Sequence, residues 1–303
     1  MYGTAIRAER FFLFNSPPED IPFMKIITTI AGMQAAAESF RREGKRIGFV
    51  PTMGFLHEGH VSLMRQARQE NDVLVSSIFV NPTQFGPSED LDRYPRDAEG
   101  DRKKCESAGV DILFMPTAAE MYPDTAQVFV TVEGVSDILE GKIRPEHFRG
   151  VATVVAKLFN IVKPLRAYFG QKDFQQCVVI RRLVAGLNLD VEVIVLPTVR
   201  ENDGLAMSSR NSYLNTEERR AATILYKALV AARDLQAAGA VEPEKLRNKM
   251  RAVVQTEPGV TLDYTEVADA ATLQPVETAR GRIVLLIAAR LGTTRLIDNF
   301  VIE

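Results

Sequence analysis

Short apolar segments alternate with segments of helical spacing over the first two thirds of the chain. The candidate strands are residues 47–50, 73–80, 111–115, 166–170 and 191–196. Several are apolar without interruption, as expected for strands buried on both faces of a parallel sheet. Residues 61–69 and 151–162 have the spacing of helices. The alternation predicts an α/β fold with a doubly wound parallel sheet, in which ligands bind outside the carboxyl ends of the strands.

The pattern changes after about residue 200. Residues 216–238 and 243–255 are predicted to be helices, the first capped by Asn215 or Thr216. Residues 262–267, 282–289 and 295–302 are predicted to be strands. We therefore expect a domain over residues 24–200 and a smaller C-terminal α+β domain over residues 201–303. Residues 1–23 would be an N-terminal extension, which could be disordered or could reflect an alternative start at Met24.

Composition and charge exclude several classes of function. The 303 residues carry a formal net charge of −2, so no global charge draws the chain to nucleic acid or to an anionic membrane. No apolar run reaches the roughly 18 residues that span a bilayer, and residues 1–23 lack the features of a secretory signal. Cys105 and Cys177 form neither a disulfide framework nor a CxxC site. We expect a cytoplasmic protein without nucleic-acid or membrane partners.

The segment PTMGFLHEGH, residues 51–60, follows a candidate strand and leads into a helix. Its glycines allow close approach of a ligand to the backbone, and free amides at the helix start could hold phosphate oxygens. His57 and His60 would share one helix face, where they suit a polyphosphate whose charge grows during a reaction. The alternatives are a tight turn with capping or core histidines, and a zinc site that lacks a third and fourth ligand.

Three further polar segments also follow candidate strands, and a basic loop, GKIRPEHFRG, contains the remaining histidine. They contain Gln84 in NPTQFG, Lys172, Asp173, Gln175 and Gln176 in GQKDFQQ, Ser208, Ser209 and Arg210 in MSSR, and Arg144 and His147 in the basic loop. Each could be an ordinary solvated loop. Their convergence on one sheet edge predicts a single nucleotide site.

Taken in order, these segments resemble the pantothenate synthetase family over residues 24–303. The resemblance rests on PTMGFLHEGH, NPTQFG, YPR, RPEHFRGV, GQKDFQQ, PTVRENDGLAMSSRN and AARLGTTRLIDN. The HEGH element alone is shared with the wider nucleotidylyltransferase superfamily. The resemblance implies a Rossmann-like domain for ATP and pantoate, a C-terminal lid domain and a homodimer. It also implies Mg²⁺ and an ATP-dependent condensation of pantoate with β-alanine through a pantoyl adenylate, with release of AMP and pyrophosphate.

The resemblance also implies roles for individual residues. ATP would contact Met53, Gly54, Phe55, Leu56, His57, Glu58, Gly59, His60, Gly170, Gln171, Lys172, Asp173, Val199, Met207, Ser208, Ser209 and Arg210. The catalytic residues would be His60, as the proton donor, with His57, Lys172 and Arg210. Gln84, Gln176, Arg144 and His147 would bind or adjoin the other substrates. Three positions depart from the family pattern: Gln171 replaces a frequent Glu, Phe55 a smaller residue and Gly100 an acidic group, which leaves Asp101 as the metal candidate.

In the implied mechanism one anion attacks another, so the site must supply positive charge, which we assign to His57, His60, Lys172, Arg210 and Mg²⁺. Two rival functions are compatible with the motifs. One is a nucleotidylyltransferase that stops after transferring AMP or CMP to a phosphate-bearing substrate. The other is a catalytically silent nucleotide sensor. Gln84 and Gln176 favour a hydroxy acid over a phosphorylated substrate.

Overall fold

A computed structural model of the chain describes residues 24–87 and 89–303, so the predicted extension, residues 1–23, lies outside the described residues. Six strands form one parallel sheet. They are β1 (Lys25–Ile27), β2 (Ile47–Thr52), β3 (Val73–Ile78), β4 (Ile112–Phe114), β5 (Arg166–Gly170) and β6 (Glu192–Leu196). Five of them match the predicted strands to within two residues at each end, whereas β1 was not predicted.

The order of the strands, β1-β4-β3-β2-β5-β6, places β2 between β3 and β5. The chain winds outward from β2 through β3 to β4, then crosses to the other side of β2 for β5 and β6. The gap between the carboxyl ends of β2 and β5 is therefore the topological switch point, where ligands bind in such sheets. The prediction of a doubly wound α/β fold is confirmed.

Helices cover both faces of this sheet. In chain order they are α1 (Ile30–Arg42), α2 (Glu58–Glu70), α3 (Ala98–Ser107), α4 (Ala118–Met121), α5 (Glu140–Ile143), α6 (His147–Val162), α7 (Phe174–Gly186), α8 (Thr216–Ala221), α9 (Ile224–Ala237) and α10 (Pro243–Val254). One core holds Phe49 and Val75 with side chains of α1, α6 and α7, and another holds Val50 and Leu74 with side chains of α2 and α3. Among the described helices none is long and apolar enough to cross a bilayer.

The C-terminal part contains α8 to α10 and an antiparallel sheet of three strands, β7 (Val260–Asp269), β8 (Ile283–Leu291) and β9 (Thr294–Ile302). Alternate residues of β8 face opposite cores. Val284 and Leu286 join the core of the parallel sheet, while Leu285 and Ile287 pack with α9 and α10. This second sheet is therefore buried between its own helices and the N-terminal part of the chain.

Two helix boundaries differ from prediction. The helix expected over residues 216–238 is divided into α8 and α9 at Ala222 and Thr223. The Thr223 hydroxyl donates to the carbonyl of Arg220 at 2.9 Å, a side-chain bond that bends helices. Helix α6 begins at His147 rather than near residue 150, after Glu146 at a φ of 72°. Asn215 caps α8, as predicted, by accepting from the amides of Glu217 and Glu218.

Candidate active site

A cavity opens at the carboxyl ends of β2 and β5, between Thr52 and Gly170. All of the predicted polar segments reach it. The predicted residues that line it are Met53, His57, Gly59, His60, Gln84, Arg144, His147, Gly170, Lys172, Asp173, Gln176, Val199, Met207, Ser208, Ser209 and Arg210. The fold thus brings together residues as far apart in the chain as Met53 and Arg210. Their assigned roles remain predictions.

The turn that follows β2 is fixed by Asp101 at the start of α3. Gly54 and Phe55 have φ values of 85° and 50°, in the left-handed region that a side chain such as that of Phe55 adopts at a cost. The Asp101 carboxylate accepts from the amides of Phe55 and Leu56, both at 2.7 Å, and its side chain is 2% exposed. Burial raises the pKa of Asp101 above its ordinary value, although these two amide bonds oppose the rise.

Asp101, the metal candidate, serves a structural role in this turn, and its metal role stays a prediction. Both of its oxygens are bonded to the main chain of the turn, and Asp101 is not among the residues that line the cavity. Over residues 24–87 and 89–303, no group of three or more His, Cys, Asp or Glu side chains could hold a metal ion. The zinc alternative for His57 and His60 fails for the same reason.

Four amides of the turn after β2 and the start of α2 are already bonded within the protein. Phe55 and Leu56 donate to Asp101, the His57 amide donates to Nδ1 of His60 at 3.3 Å, and the Gly59 amide donates to Nδ1 of His57 at 3.2 Å. These four amides are therefore not free to hold phosphate oxygens, and the side chains of the cavity are the remaining candidates.

His57 and His60 cap α2 and also line the cavity. The sequence left capping and ligand binding as alternatives, and the structure is compatible with both. Their ring centroids lie 4.1 Å apart. Because Nδ1 of each ring accepts a main-chain N–H, the neutral tautomer carries its proton on Nε2. Each ring can therefore act as a neutral hydrogen-bond donor.

The charge of these two histidines differs from the prediction. Burial, followed by the charge of Lys172, lowers the pKa of His57 to about 4. Burial, followed by His57, lowers the pKa of His60 to about 3. Both imidazoles are therefore neutral near pH 7. In the protein without ligand, the positive charge that lines the cavity is therefore that of Lys172, Arg144 and Arg210.

Each cation of the cavity has a carboxylate partner. Lys172 Nζ lies 3.6 Å from Asp173 Oδ1. Arg210 donates to Asp90 from Nε at 3.0 Å and from Nη2 at 2.8 Å. Arg144 donates to Glu89 from Nε at 2.9 Å and from Nη2 at 2.5 Å. Glu89 and Asp90 were not singled out in the sequence. They belong to the loop after β3, where they looked like solvated acids.

His147 links Arg144 to the loop that carries Gln84. Its Nδ1 lies 2.9 Å from the main-chain oxygen of Gln84, and Arg144 Nη1 donates to its Nε2 at 3.2 Å. The proton of the neutral ring is therefore on Nδ1, opposite to its place in His57 and His60. Burial, followed by the charge of Arg144, lowers the pKa of His147 to about 4. The Gln84 side chain accepts from Asn81 Nδ2 at 2.9 Å.

An apolar wall forms the other side of the cavity, and the sequence analysis missed it. It consists of Phe79, Phe85, Tyr94, Val151, Val154, Val155 and Leu158. Four of these lie on α6, whose sequence VATVVAKLF is apolar almost all round. A helix that is apolar on all sides is buried. The composition of α6 could therefore have predicted that this helix is buried against the site.

Besides Asp101, six residues singled out in the sequence do not line the cavity: Gly54, Phe55, Leu56, Glu58, Gln171 and Gln175. Leu56 is in the core beneath the turn, and the Glu58 carboxylate pairs with Arg65 on the surface. Gln171 donates to Asn299 at 3.1 Å. Gln175 donates to the carbonyls of Val135 and Ile138, both at 2.8 Å, so it supports the fold instead of the ligand.

Comparison with known proteins identifies the family. The model of the pantoate–β-alanine ligase family matches residues 25–301. The chain is 54% identical over 280 residues to the pantothenate synthetase of Acetivibrio thermocellus, covering 92% of this chain and 100% of that protein. It is 55% identical over 280 residues to the pantothenate synthetase of Roseiflexus sp. (strain RS-1), with coverage of 92% and 100%.

Solved structures agree with these relatives. A pantothenate synthetase from Thermus thermophilus is 46% identical with a TM-score of 0.87, covering 91% of this chain and 99% of that one. A pantoate–β-alanine ligase from Francisella tularensis is 38% identical with a TM-score of 0.75, covering 91% and 97%. The family match spans the whole cavity lining, from Pro51 to Arg210. The chain therefore belongs to the pantoate–β-alanine ligase family, the ATP-dependent pantothenate synthetases.

Proposed function

We propose that the cavity between β2 and β5 is the active site at which this chain condenses pantoate with β-alanine. One observation carries the assignment: a cationic end and an apolar wall meet in the same cavity. Lys172 and Arg210 suit the phosphates of ATP, while Val151, Val154 and Val155 suit the two methyl groups of pantoate. Gln84 and Gln176 add polar groups for the pantoate hydroxyls and carboxylate.

A relative supports this choice of ligands. The ligase of Francisella tularensis was solved in complex with β-γ ATP and β-alanine. Since the chain resembles that protein over 91% of its length, we propose that ATP and β-alanine bind in the corresponding cavity here. The rival functions, a nucleotidylyltransferase that stops after nucleotide transfer and a silent sensor, have no such support.

In the first step a carboxylate oxygen of pantoate attacks the α-phosphorus of ATP. The bond from the α-phosphorus to the bridging oxygen breaks, and pyrophosphate leaves with that electron pair. Lys172 and Arg210 stabilise the charge that grows on the departing group. The neutral rings of His57 and His60 donate from Nε2 instead of adding charge, because Nδ1 of each is bonded to the main chain.

In the second step the neutral amine of β-alanine attacks the acyl carbon of the pantoyl adenylate. The bond from that carbon to the phosphate oxygen breaks, AMP leaves, and the nitrogen loses a proton. Arg144 and His147, which lie near Gln84, would hold the carboxylate of β-alanine or pantoate in place. Ser208, Ser209 and Arg210 close one side of the cavity, and exclusion of water there would protect the mixed anhydride.

Magnesium remains a proposal without a protein site. Mg²⁺ in enzymes of this kind is usually held by one or two carboxylates together with substrate phosphates and water. Both oxygens of Asp101 accept amides of the turn after β2, and Asp101 does not line the cavity. We therefore place the ion on the triphosphate alone and derive no step from it.

Three further expectations are also proposals. We propose a homodimer, and the exposure of Val128 (81%) and Phe129 (42%) gives an apolar surface that a second copy could cover. We propose a cytoplasmic location, with which the two free, buried cysteines are compatible. We also propose that the segment around Ser209–Tyr213 closes the cavity, since residues 207–210 are the part of the C-terminal domain that lines it.

The experiment that tests the function is a coupled assay of AMP release with pantoate, β-alanine and ATP omitted in turn. AMP release should require all three. With pantoate and ATP but no β-alanine, the enzyme should exchange labelled pyrophosphate into ATP, because the adenylate forms reversibly before the amine acts. Active enzyme that shows no exchange at sufficient pyrophosphate would rule out this order of steps.

A further inference from the structure

Two consecutive acidic residues, Glu89 and Asp90, bind the two arginines of the cavity. Arg144 precedes α6 and Arg210 lies in the Ser209–Tyr213 turn before α8, so the arginines come from distant parts of the chain. Both pairs are bidentate through Nε and Nη2. The side chains of Glu89 and Asp90 are 22% and 14% exposed, so neither is an ordinary surface acid. One loop thus determines where both guanidinium groups lie.

The geometry of the Arg210 pair leaves one side of the guanidinium available. Asp90 accepts from Nε and Nη2, along one edge of the planar group, and no hydrogen bond among the described residues involves Nη1. Arg210 itself lines the cavity. A guanidinium held along one edge can present its other donors to a phosphate with less loss of side-chain freedom.

Asp90 is in turn fixed by neighbours. The Tyr213 hydroxyl donates to Asp90 Oδ2 at 3.3 Å and lies 3.1 Å from the carbonyl of Arg93. The guanidinium of Arg210 also lies over the ring of Tyr94, 5.9 Å from its centroid. The loop after β3 and the Ser209–Tyr213 turn are therefore held together at the place where Arg210 enters the cavity.

We propose that Asp90 and Glu89 are positioning residues for the ligase reaction, Asp90 orienting Arg210 towards the phosphates of ATP and Glu89 orienting Arg144 at the substrate end. The proposal rests on the proposed function, because it takes Arg210 to bind phosphate. The alternative is that the two carboxylates compete with the substrates for the arginines. In that case, removal of a carboxylate should tighten substrate binding.

The test compares steady-state kinetics of Asp90→Asn, Asp90→Glu and Glu89→Gln, with Asp92→Asn as the matched control. Asp92 lies two positions further along the same loop and is exposed. Loss of one charge-assisted pair should lower kcat/KM for ATP roughly 10-fold to 100-fold in Asp90→Asn. Asp90→Glu should recover a large part of the loss. Glu89→Gln should raise KM for pantoate or β-alanine and leave KM for ATP nearly unchanged, while Asp92→Asn should resemble the parent.

A double variant isolates the route by which Asp90 acts. If it acts through Arg210, adding Asp90→Asn to Arg210→Ala should cause no further loss. An equal loss in both backgrounds, or a lower KM for ATP in Asp90→Asn, would overturn the proposal. Thermal unfolding of each variant shows whether a loss reflects folding, and higher activity in Asp90→Glu than in Asp90→Asn at equal stability supports positioning.

The single variant Arg210→Ala distinguishes a failure of positioning by Asp90 from a failure of the role proposed for Arg210. If Arg210→Ala is impaired and Asp90→Asn is not, positioning is refuted while the proposed role of Arg210 stands. If Arg210→Ala keeps its rate of adenylate formation and its ATP affinity, the assignment of Arg210 in the proposed function is itself wrong, and positioning through it is refuted as well.

Discussion

Asn299 on β9 holds the main chain of Lys172. Its Nδ2 donates to the carbonyls of Lys172 and Gln171, each at 3.0 Å, and its Oδ1 accepts from Gln171 Nε2 at 3.1 Å. The Asn299 residue is 1% exposed. The C-terminal sheet therefore supports the Lys172 end of the cavity from behind, although none of its residues lines the cavity.

Replacing Asn299 with Ala should impair ATP use more than stability alone explains. Displacement of Lys172 by a fraction of an ångström should lower kcat/KM for ATP roughly 10-fold to 100-fold, with little change in KM for β-alanine. The measurement is steady-state kinetics at a temperature well below the melting transition. Asn248→Ala, at an exposed position of α10, is the control. A lower melting temperature with unchanged ATP kinetics would limit Asn299 to a structural role.

Replacing His60 with Ala should lower turnover by about 10²-fold to 10³-fold, as loss of one oriented donor does elsewhere. The fold should be only modestly destabilised, since the lost bond is a cap on the His57 amide. His60→Asn retains a side-chain oxygen for that cap, so it should restore stability without full activity. Equal specific activity in the stabilised variant and the parent would indicate that His60 only caps α2.

The three histidines should resist protonation in the folded protein. Burial lowers the pKa of His57 and His147 to about 4 and that of His60 to about 3, from an ordinary 6.5. Because the unfolded chain binds these protons more readily, stability is fully present above pH 6.5 and declines as pH falls towards 4. The chain has only three histidines, so proton NMR can follow each ring. All three resonances should keep their neutral positions down to about pH 5, and a midpoint near 6.5 would contradict this.

Replacing Arg210 with Ala should lower kcat more than it weakens ATP binding, because charge builds on pyrophosphate as it leaves. Arg210→Lys should recover only part of the loss, since a lysine cannot reproduce the bidentate pair with Asp90. Adenylate formation in a single turnover, measured beside ATP affinity, separates the two effects. Weaker ATP binding with an unchanged single-turnover rate at saturating ATP would make Arg210 a ground-state contact only.

The sequence predicted those features that depend on local pattern. Five strands and the loops after them were visible as apolar runs followed by polar residues. Strand β1 was missed because only one of its three residues is buried, whereas all three residues of the equally short β4 are buried. The ion pairs of Glu89 and Asp90 join residues 55 and 120 positions apart, which no local pattern reveals. The neutral state of His57 and His60 depends on burial, and the role of Asp101 depends on two amides more than 40 positions away.

Gly150 determines how closely α6 approaches the loop that carries Gln84. A side chain there would lie 2.2 Å from the carbonyl oxygen of Thr83, and the Gly150 carbonyl accepts from Asn81 Nδ2 at 3.1 Å. The distance between His147 and Gln84 is thus determined by main-chain contact between α6 and the loop after β3, and not by a side-chain rotamer. If pantoate binds here, as proposed, the entropy of ordering this end of the cavity is lost when the chain folds and not when the ligand binds. This rigidity favours affinity for one acid and leaves little freedom to admit a bulkier one.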